Sequence, residues 1–311
     1  VAFSDSSYAP HLEADLLEEN INSAFATALE IDPGNLRALG GLVYWHVNRK
    51  IDIPAANNYL QRAINVAPTA ALTNYVASQF YFSVGDKQRT LLAINSAISA
   101  DPLNQTLNRH KFQYSAAFGN HDPESSFLEG LNDCTITACK PVNWLKAWTA
   151  LVAALHAADT AGIKQARDIF QEVYQSLGAG DFGRNAHEFM IAYADWVLGI
   201  DEHTTYWSNL DPLSEDYDTV FTLDACILAQ LGFDEKAMTI LEEVSANGRF
   251  FSTRGIPYFL SPGRLEMPES IRRNPRYHAI WSLPGMPEIE LARRANGMTA
   301  GLPLPITNEG Q

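Results

Sequence analysis

Eight histidines, three cysteines and 36 acidic residues are the groups from which a reactive centre would be built in this sequence. His187 and Glu188 begin a zinc-binding helix pattern, but Ile191 stands where the second histidine is required. His110 and His121 are separated by a helix end and a loop, and read as surface or groove residues. The acidic pairs Glu18-Glu19, Glu215-Asp216 and Glu242-Glu243 are adjacent in sequence. Neighbours on a helix point about 100° apart, so these carboxylates do not face one substrate as an acid–base pair must. No nucleophile elbow, phosphate loop, dinucleotide fingerprint or HExxH occurs. The chain is therefore expected to be non-catalytic and to need no cofactor or metal.

Cysteine chemistry is sparse. Cys134 and Cys139 lie close together in a polar, β-branched stretch, as a small disulfide-closed loop in an oxidising compartment or as two loop thiols. Cys226 sits among Leu223, Ile227 and Leu228 on a helix face and is expected to be buried. The formal charge of −14 repels phosphate backbones, which argues against nucleic acid and favours cationic partners. The most apolar run, Trp144 to Ala158, contains Lys146 and His156 and is too short to span a bilayer, so no membrane segment is expected. The chain opens at Val1 and reaches a helical pattern within about ten residues, which reads as part of a longer protein.

Helices must position whatever this sequence does, and they repeat. Pro33, Pro68 and Pro102 lie 35 and 34 residues apart. Eight and five residues before them stand Phe25 and Ala28, Leu60 and Ala63, and Ile94 and Ala97. Ala56 and Thr90 supply small residues four before Leu60 and Ile94. Leu39, Leu42, Val43 and His46 form one helical stripe, Ser78 and Tyr81 recur in the next unit, and Gly85 breaks the chain before its second helix. A small residue lets two helices approach, a large one fills the gap between pairs, and proline ends the second helix.

With this A-x3-F/L-x2-A-x4-P frame the sequence resembles the tetratricopeptide (TPR) family over residues 20–102. Asn74 and an extra residue near Arg49–Ile53 depart from the pattern. Weaker copies follow at Ala166, Phe170 and Val173, and at Ala237, Leu241 and Val244. The expectation is an all-α, TPR-like solenoid of about six helix pairs over residues 1–249, clear in 20–118 and divergent in 143–249. Each pair would contact mainly its neighbours. Gly119 to Val142 would bulge as a loop. Phe250–Ser252 and Ile256–Leu260 are short β-prone runs. Residues 250–311, crowded with proline, would form an irregular cap on the last pair through Trp281, Leu283, Met286 and Leu291, with short helical pieces such as Pro287–Asn296.

Within that tail, Arg272-Arg273-Asn274-Pro275-Arg276-Tyr277 resembles the R-x-D-P-R-F ending of bacterial TPR regions that follow winged-helix domains in ToxR/CadC-type regulators, or cyclase domains. Asn274 replaces the usual Asp. The resemblance implies the sensor half of a bacterial regulatory protein, periplasmic or otherwise extracytoplasmic, with a cytoplasmic location as the alternative. An oxidised Cys134–Cys139 pair would agree with the former. The TPR register places Arg37, Tyr44 and Asn48, then Tyr75, Gln79 and Phe82, then Arg109 and Gln113, on a concave groove. Tyr75 and Phe82 would otherwise pack between repeats. Aromatic and amide groups there suit a peptide, a protein or a small polar ligand. Gly40 occupies the place of a lysine needed to clamp a chaperone tail. A stand-alone scaffold and a helical-toroid enzyme are the competing readings.

Overall fold

A computed structural model describes residues 20, 23–120, 140–177, 184–200, 203–211, 222–246, 260 and 262–306. Among these residues every regular element is helical. The first helix, α1, covers residues 23–31. Then follow α2 (Leu36–Asn48), α3 (Ile53–Val66), α4 (Ala71–Ser83), α5 (Lys87–Ala100), α6 (Gln105–Ala117), α7 (Lys140–Ala157) and α8 (Thr160–Leu177). Next come α9 (Arg184–Leu198), α10 (Thr204–Asn209), α11 (Thr222–Gln230) and α12 (Asp234–Ala246). The tail holds α13 (Glu269–Arg272), α14 (Pro275–Trp281) and α15 (Met286–Ala295). Cys134, Cys139 and most of both β-prone runs lie outside the described residues.

One local device recurs six times among the described residues. After α2, α4, α6, α7, α9 and α11 the backbone turns left-handed, at Ile51, Gly85, Gly119, Ala158, Gly199 and Gly232. In five of them the next N–H closes on the carbonyl five residues earlier: Asp86 on Tyr81, Asn120 on Ser115, Asp159 on Ala154, Ile200 on Asp195 and Phe233 on Leu228. This break satisfies carbonyls that a helix end leaves open. After α2 the loop is one residue longer, and Asp52 N–H reaches His46 instead. Aspartates then start the partner helices, Asp52 accepting from Ala55 N–H and Asp86 from Arg89 N–H. The pairs α2–α3, α4–α5, α7–α8 and α11–α12 pack closely, with α2 also on α4, α5 on α6, α6 on α7 and α8 on α9.

The proline frame positions buried residues as anticipated: Leu60, Ala63, Ile94 and Ala97 are fully enclosed. Phe25 fits because position 41 is glycine, since a Cβ there would overlap its ring.

The tail departs most from expectation. It holds the expected short helical pieces, α15 (Met286–Ala295) among them, but it is not confined to the last pair. Arg276 joins Glu235 and Glu242 of α12 at 2.9 and 2.6 Å. Arg264 N–H donates to His156 O at the end of α7 (2.9 Å). Gly285 abuts the Ile51 carbonyl in the α2–α3 turn. Asn296 Nδ2 donates to Val84 O (3.0 Å) after α4. The tail thus runs back along the ends of the first helices of the pairs and bridges the last pair to the first. The helix pairs contact mainly their neighbours, and these tail bonds add links beyond adjacent pairs. Of the four apolar residues assigned to the cap, Trp281 and Met286 are buried, whereas Leu283 and Leu291 are exposed.

The Arg-Asn-Pro-Arg-Tyr run explains this docking. Arg272 donates to Glu266 and to the Leu302 and Thr299 carbonyls. Asn274 accepts from Arg276 N–H and so caps α14, with Pro275 in the first turn, where its missing donor costs nothing. Asn keeps the cap that Asp would make. Tyr277 is buried and donates to Gly301 O (2.7 Å).

Gly285 has φ +85° and no room for a side chain. Gly285→Ala is expected to cost roughly 2–3 kcal/mol in urea unfolding, combining left-handed strain with a clash against backbone. An unchanged midpoint would show that the turn yields.

Candidate binding face

The groove residues drawn from the repeat register fall on α2, α4 and α6. On α2, Arg37 is exposed, Tyr44 is 43 % exposed, and Asn48 is half-buried with its Nδ2 donating to Tyr44 O at 3.0 Å. These three follow one stripe, seven and four residues apart.

On α4, Tyr75 and Gln79 are half-buried and joined, with Gln79 Nε2 donating to the Tyr75 hydroxyl at 3.1 Å. That hydroxyl lies 3.3 Å from His110 Nε2 on α6. His110 Nδ1 is 2.9 Å from the Thr106 carbonyl, which can only accept. Nδ1 therefore carries the proton, Nε2 accepts, and the phenol donates. Burial, aided by the Arg109 charge, pushes the imidazole down to about 3, so His110 is neutral at physiological pH. Its ring meets Tyr75 edge-on at 5.1 Å. His110, expected as a surface or groove residue, is buried at 7 % exposure and links two groove helices. Its one sequence signal is the TPR register, which sets it next to Arg109.

Phe82 is 3 % exposed and packs against Tyr114 and Phe118 at 5.0 and 5.4 Å between ring centres. It lies inside the protein, not on an open groove. Gln113 is fully enclosed, at 0 % exposure. Neither its Nε2 nor its Oε1 has a hydrogen-bond partner. Arg109, one turn earlier, is half-buried and forms no ion pair among the described residues. Tyr75 and Gln79 are therefore brought together with His110, Arg109 and Gln113 share a stripe of α6, and Arg37, Tyr44 and Asn48 form an outer strip on α2.

Two further polar clusters were not anticipated. Arg293 of α15 is 0 % exposed and donates to the Phe82, Ser83 and Leu260 carbonyls. Asp195 of α9 receives Arg167 Nε at 2.8 Å and Nη2 at 3.3 Å, with His203 Nε2 at 3.2 Å. This clamps α8, α9 and the start of α10. Cys226 is buried, its thiol donating to Leu265 O at 3.1 Å, and burial pushes that thiol up. Among the described residues no group of three His, Cys, Asp or Glu could hold a metal ion, and no helix is long and apolar enough to cross a membrane.

Acid weakens this arrangement. Burial pushes His156 and His187 down to about 4 and His110 to about 3. The unfolded chain takes up protons near pH 6.5 while the folded one resists until near 4, so stability falls as pH drops through that window. Denaturant midpoints at pH 7 and pH 5 should differ, with two to three protons absorbed on unfolding, an order-of-magnitude figure from the same linkage. His187 stacks on Tyr174 with ring centres 3.7 Å apart. His187→Phe keeps that stack and should reduce the pH slope by about one proton; an unaltered slope would refute its contribution.

Comparison of the chain with family models, with curated proteins and with solved structures gives no match.

Proposed function

We propose that this chain is a TPR-like α-solenoid acting as a ligand- or protein-binding sensor region of a bacterial regulatory protein outside the cytoplasm. The observation that carries the reading is the left-handed break found after six helices among the described residues, the same ending at α2, α4, α6, α7, α9 and α11. On the first three of them, the side chains of Tyr44, Tyr75, Gln79 and Arg109 remain at least partly accessible. The tail motif supports the regulatory half of the reading, because its residues have defined jobs in holding the C-terminal segment against α12. Ligand held on this face would bias how α2, α4 and α6 stack. The bias would reach the tail, since the end of α4 holds Arg293.

A thermal-shift screen against peptides, amines and metabolites tests it. Ligand that binds the folded state raises the melting point by mass action. Tyr44→Ala should weaken such a ligand by about tenfold or more, as loss of an aromatic contact does, while barely changing the melting point of the free protein. A ligand whose affinity ignores Tyr44, Tyr75 and Gln79 would count against the face.

One observation favours a scaffold instead. Ile31 and Val66, the last residues of α1 and α3, and Leu103, in the turn after α5, are 82, 50 and 87 % exposed. An apolar edge one residue per repeat suits a protein partner. Ile31→Glu with Leu103→Glu would abolish that interaction and leave the ligand face untouched.

A further inference from the structure

We propose that the molecule recognised by this face is a small organic carboxylate that also carries a hydroxyl or amine, held by Arg109 and Gln113 of α6. The inference rests on the binding reading above and names the chemistry of its ligand.

Whole-chain charge points the other way, since −14 favours cations. The charge is unevenly placed. Residues 36–117 carry eight Lys or Arg, three Asp and no Glu, a local balance of +5. The three are Asp52, Asp86 and Asp101, all at helix ends, where Asp52 and Asp86 cap α3 and α5. No acidic residue stands on α2, α4 or α6. The face is therefore a cationic region in an anionic protein, and it concentrates anions.

One buried amide without a partner and one cation without an ion pair among the described residues, on one stripe of α6, narrow the ligand further. Arg109 is half-buried without an ion pair among the described residues, and a guanidinium fork suits a carboxylate. Gln113, one turn away, is 0 % exposed with both amide atoms unpartnered. Leaving such groups unpaired destabilises a fold. Gln113 offers a donor and an acceptor, so its complement must also supply both. A carboxylate with a neighbouring hydroxyl or amine does, placing oxygen on Arg109 and Gln113 Nε2 and an O–H or N–H on Gln113 Oε1. A phosphate monoester, nearly all acceptor, leaves Oε1 unpaired, and a diamine is repelled by Arg109. Gln113 is enclosed in the free protein, so a ligand reaches it by displacing the side chains that cover it, starting from the half-buried Arg109 one turn away.

The test is a melting-point and calorimetric comparison of malate, lactate, glutamate, succinate, inorganic phosphate and putrescine at matched ionic strength. Hydroxy- or amino-carboxylates should bind, with Arg109→Gln abolishing binding and Gln113→Leu weakening it at least about tenfold. Gln113→Leu removes the buried amide, so the free variant should melt at the same or a higher temperature, which a merely structural glutamine would not do. Binding of phosphate or putrescine alone, carboxylate binding unchanged by Arg109→Gln, or no carboxylate binding overturns the proposal. A diamine or peptide whose binding depends on Tyr44 would keep the binding face and sink only the carboxylate.

Discussion

A chain ending at residue 249 is expected to lose its cooperative unfolding transition. In an open stack of repeats, a terminal cap shields one interface and its removal unravels the neighbouring unit. This tail does more. Leu260, Leu265, Ile271, Tyr277, Ile289 and Leu302 are all fully buried, within the same apolar cluster as Phe82, Leu151, Phe170 and Leu241. Six such side chains represent on the order of 10–15 kcal/mol of gross apolar burial, comparable with the whole net stability of a domain. The ordering entropy of the tail offsets much of this, but its loss also strips cover from α4, α7, α11 and α12. Those helices would then expose contiguous apolar surface and self-associate. Near-ultraviolet circular dichroism and a denaturant titration report the result directly. A truncated chain that unfolds cooperatively, within a few degrees of the full chain, would make the tail a cap after all.

The legible part of the fold lay where local chemistry repeats at a constant period. Pro33, Pro68 and Pro102 mark helix ends because proline cannot continue a helix, and the Phe25, Leu60 and Ile94 frame follows from them. Beyond Gly119 the left-handed breaks fall at Ala158, Gly199 and Gly232. Their spacings of 39, 41 and 33 residues lose step with a 34-residue template, although the glycines themselves were visible. The route of the tail was not legible. Its side-chain bonds to the end of α4 fall on backbone carbonyls of residues 82–84, and a carbonyl leaves no trace in residue type. Arg293 contacts Phe82 across 211 positions, with no pattern at the receiving end. The site was read unevenly for the same reason. Arg37 and Tyr44 have the exposure that their register implies. Phe82 and Gln113 are interior, and register alone says nothing of what covers a helix. The net charge of −14 averages residues 36–117, with a balance of +5, into an acidic remainder, so a whole-chain figure hides that unevenness.

Arg293→Met should lower the melting temperature by roughly 5–10 °C, on a loss of about 2–4 kcal/mol. Methionine preserves length and apolar bulk, so the change isolates the guanidinium. That group is fully buried, with Nη1 donating to the Phe82 and Ser83 carbonyls at 3.1 and 3.2 Å and Nη2 to Leu260 O. Phe82 and Ser83 end α4, where the partial negative charge of the helix dipole gathers. The cation therefore replaces water with a helix terminus instead of with a carboxylate. Burial lowers its pKa to about 10, which leaves it charged at neutral pH. The cost of desolvating that charge is relieved in the variant, so the net loss is smaller than for breaking a buried ion pair. What remains is three carbonyls without their donor. Arg293→Lys separates charge from geometry. A single ammonium cannot reach carbonyls on both α4 and the tail, so lysine should recover less than half of the stability if the fork matters. Full recovery by lysine would show that charge at the end of α4 suffices. Hydrogen exchange locates the effect: amides of α15 and of residues 296–298 should exchange faster in Arg293→Met while those of α8 do not. Uniform acceleration across the chain would mean that α15 and the array unfold as one unit, in which case the tail is as much a part of the core as the repeats it spans.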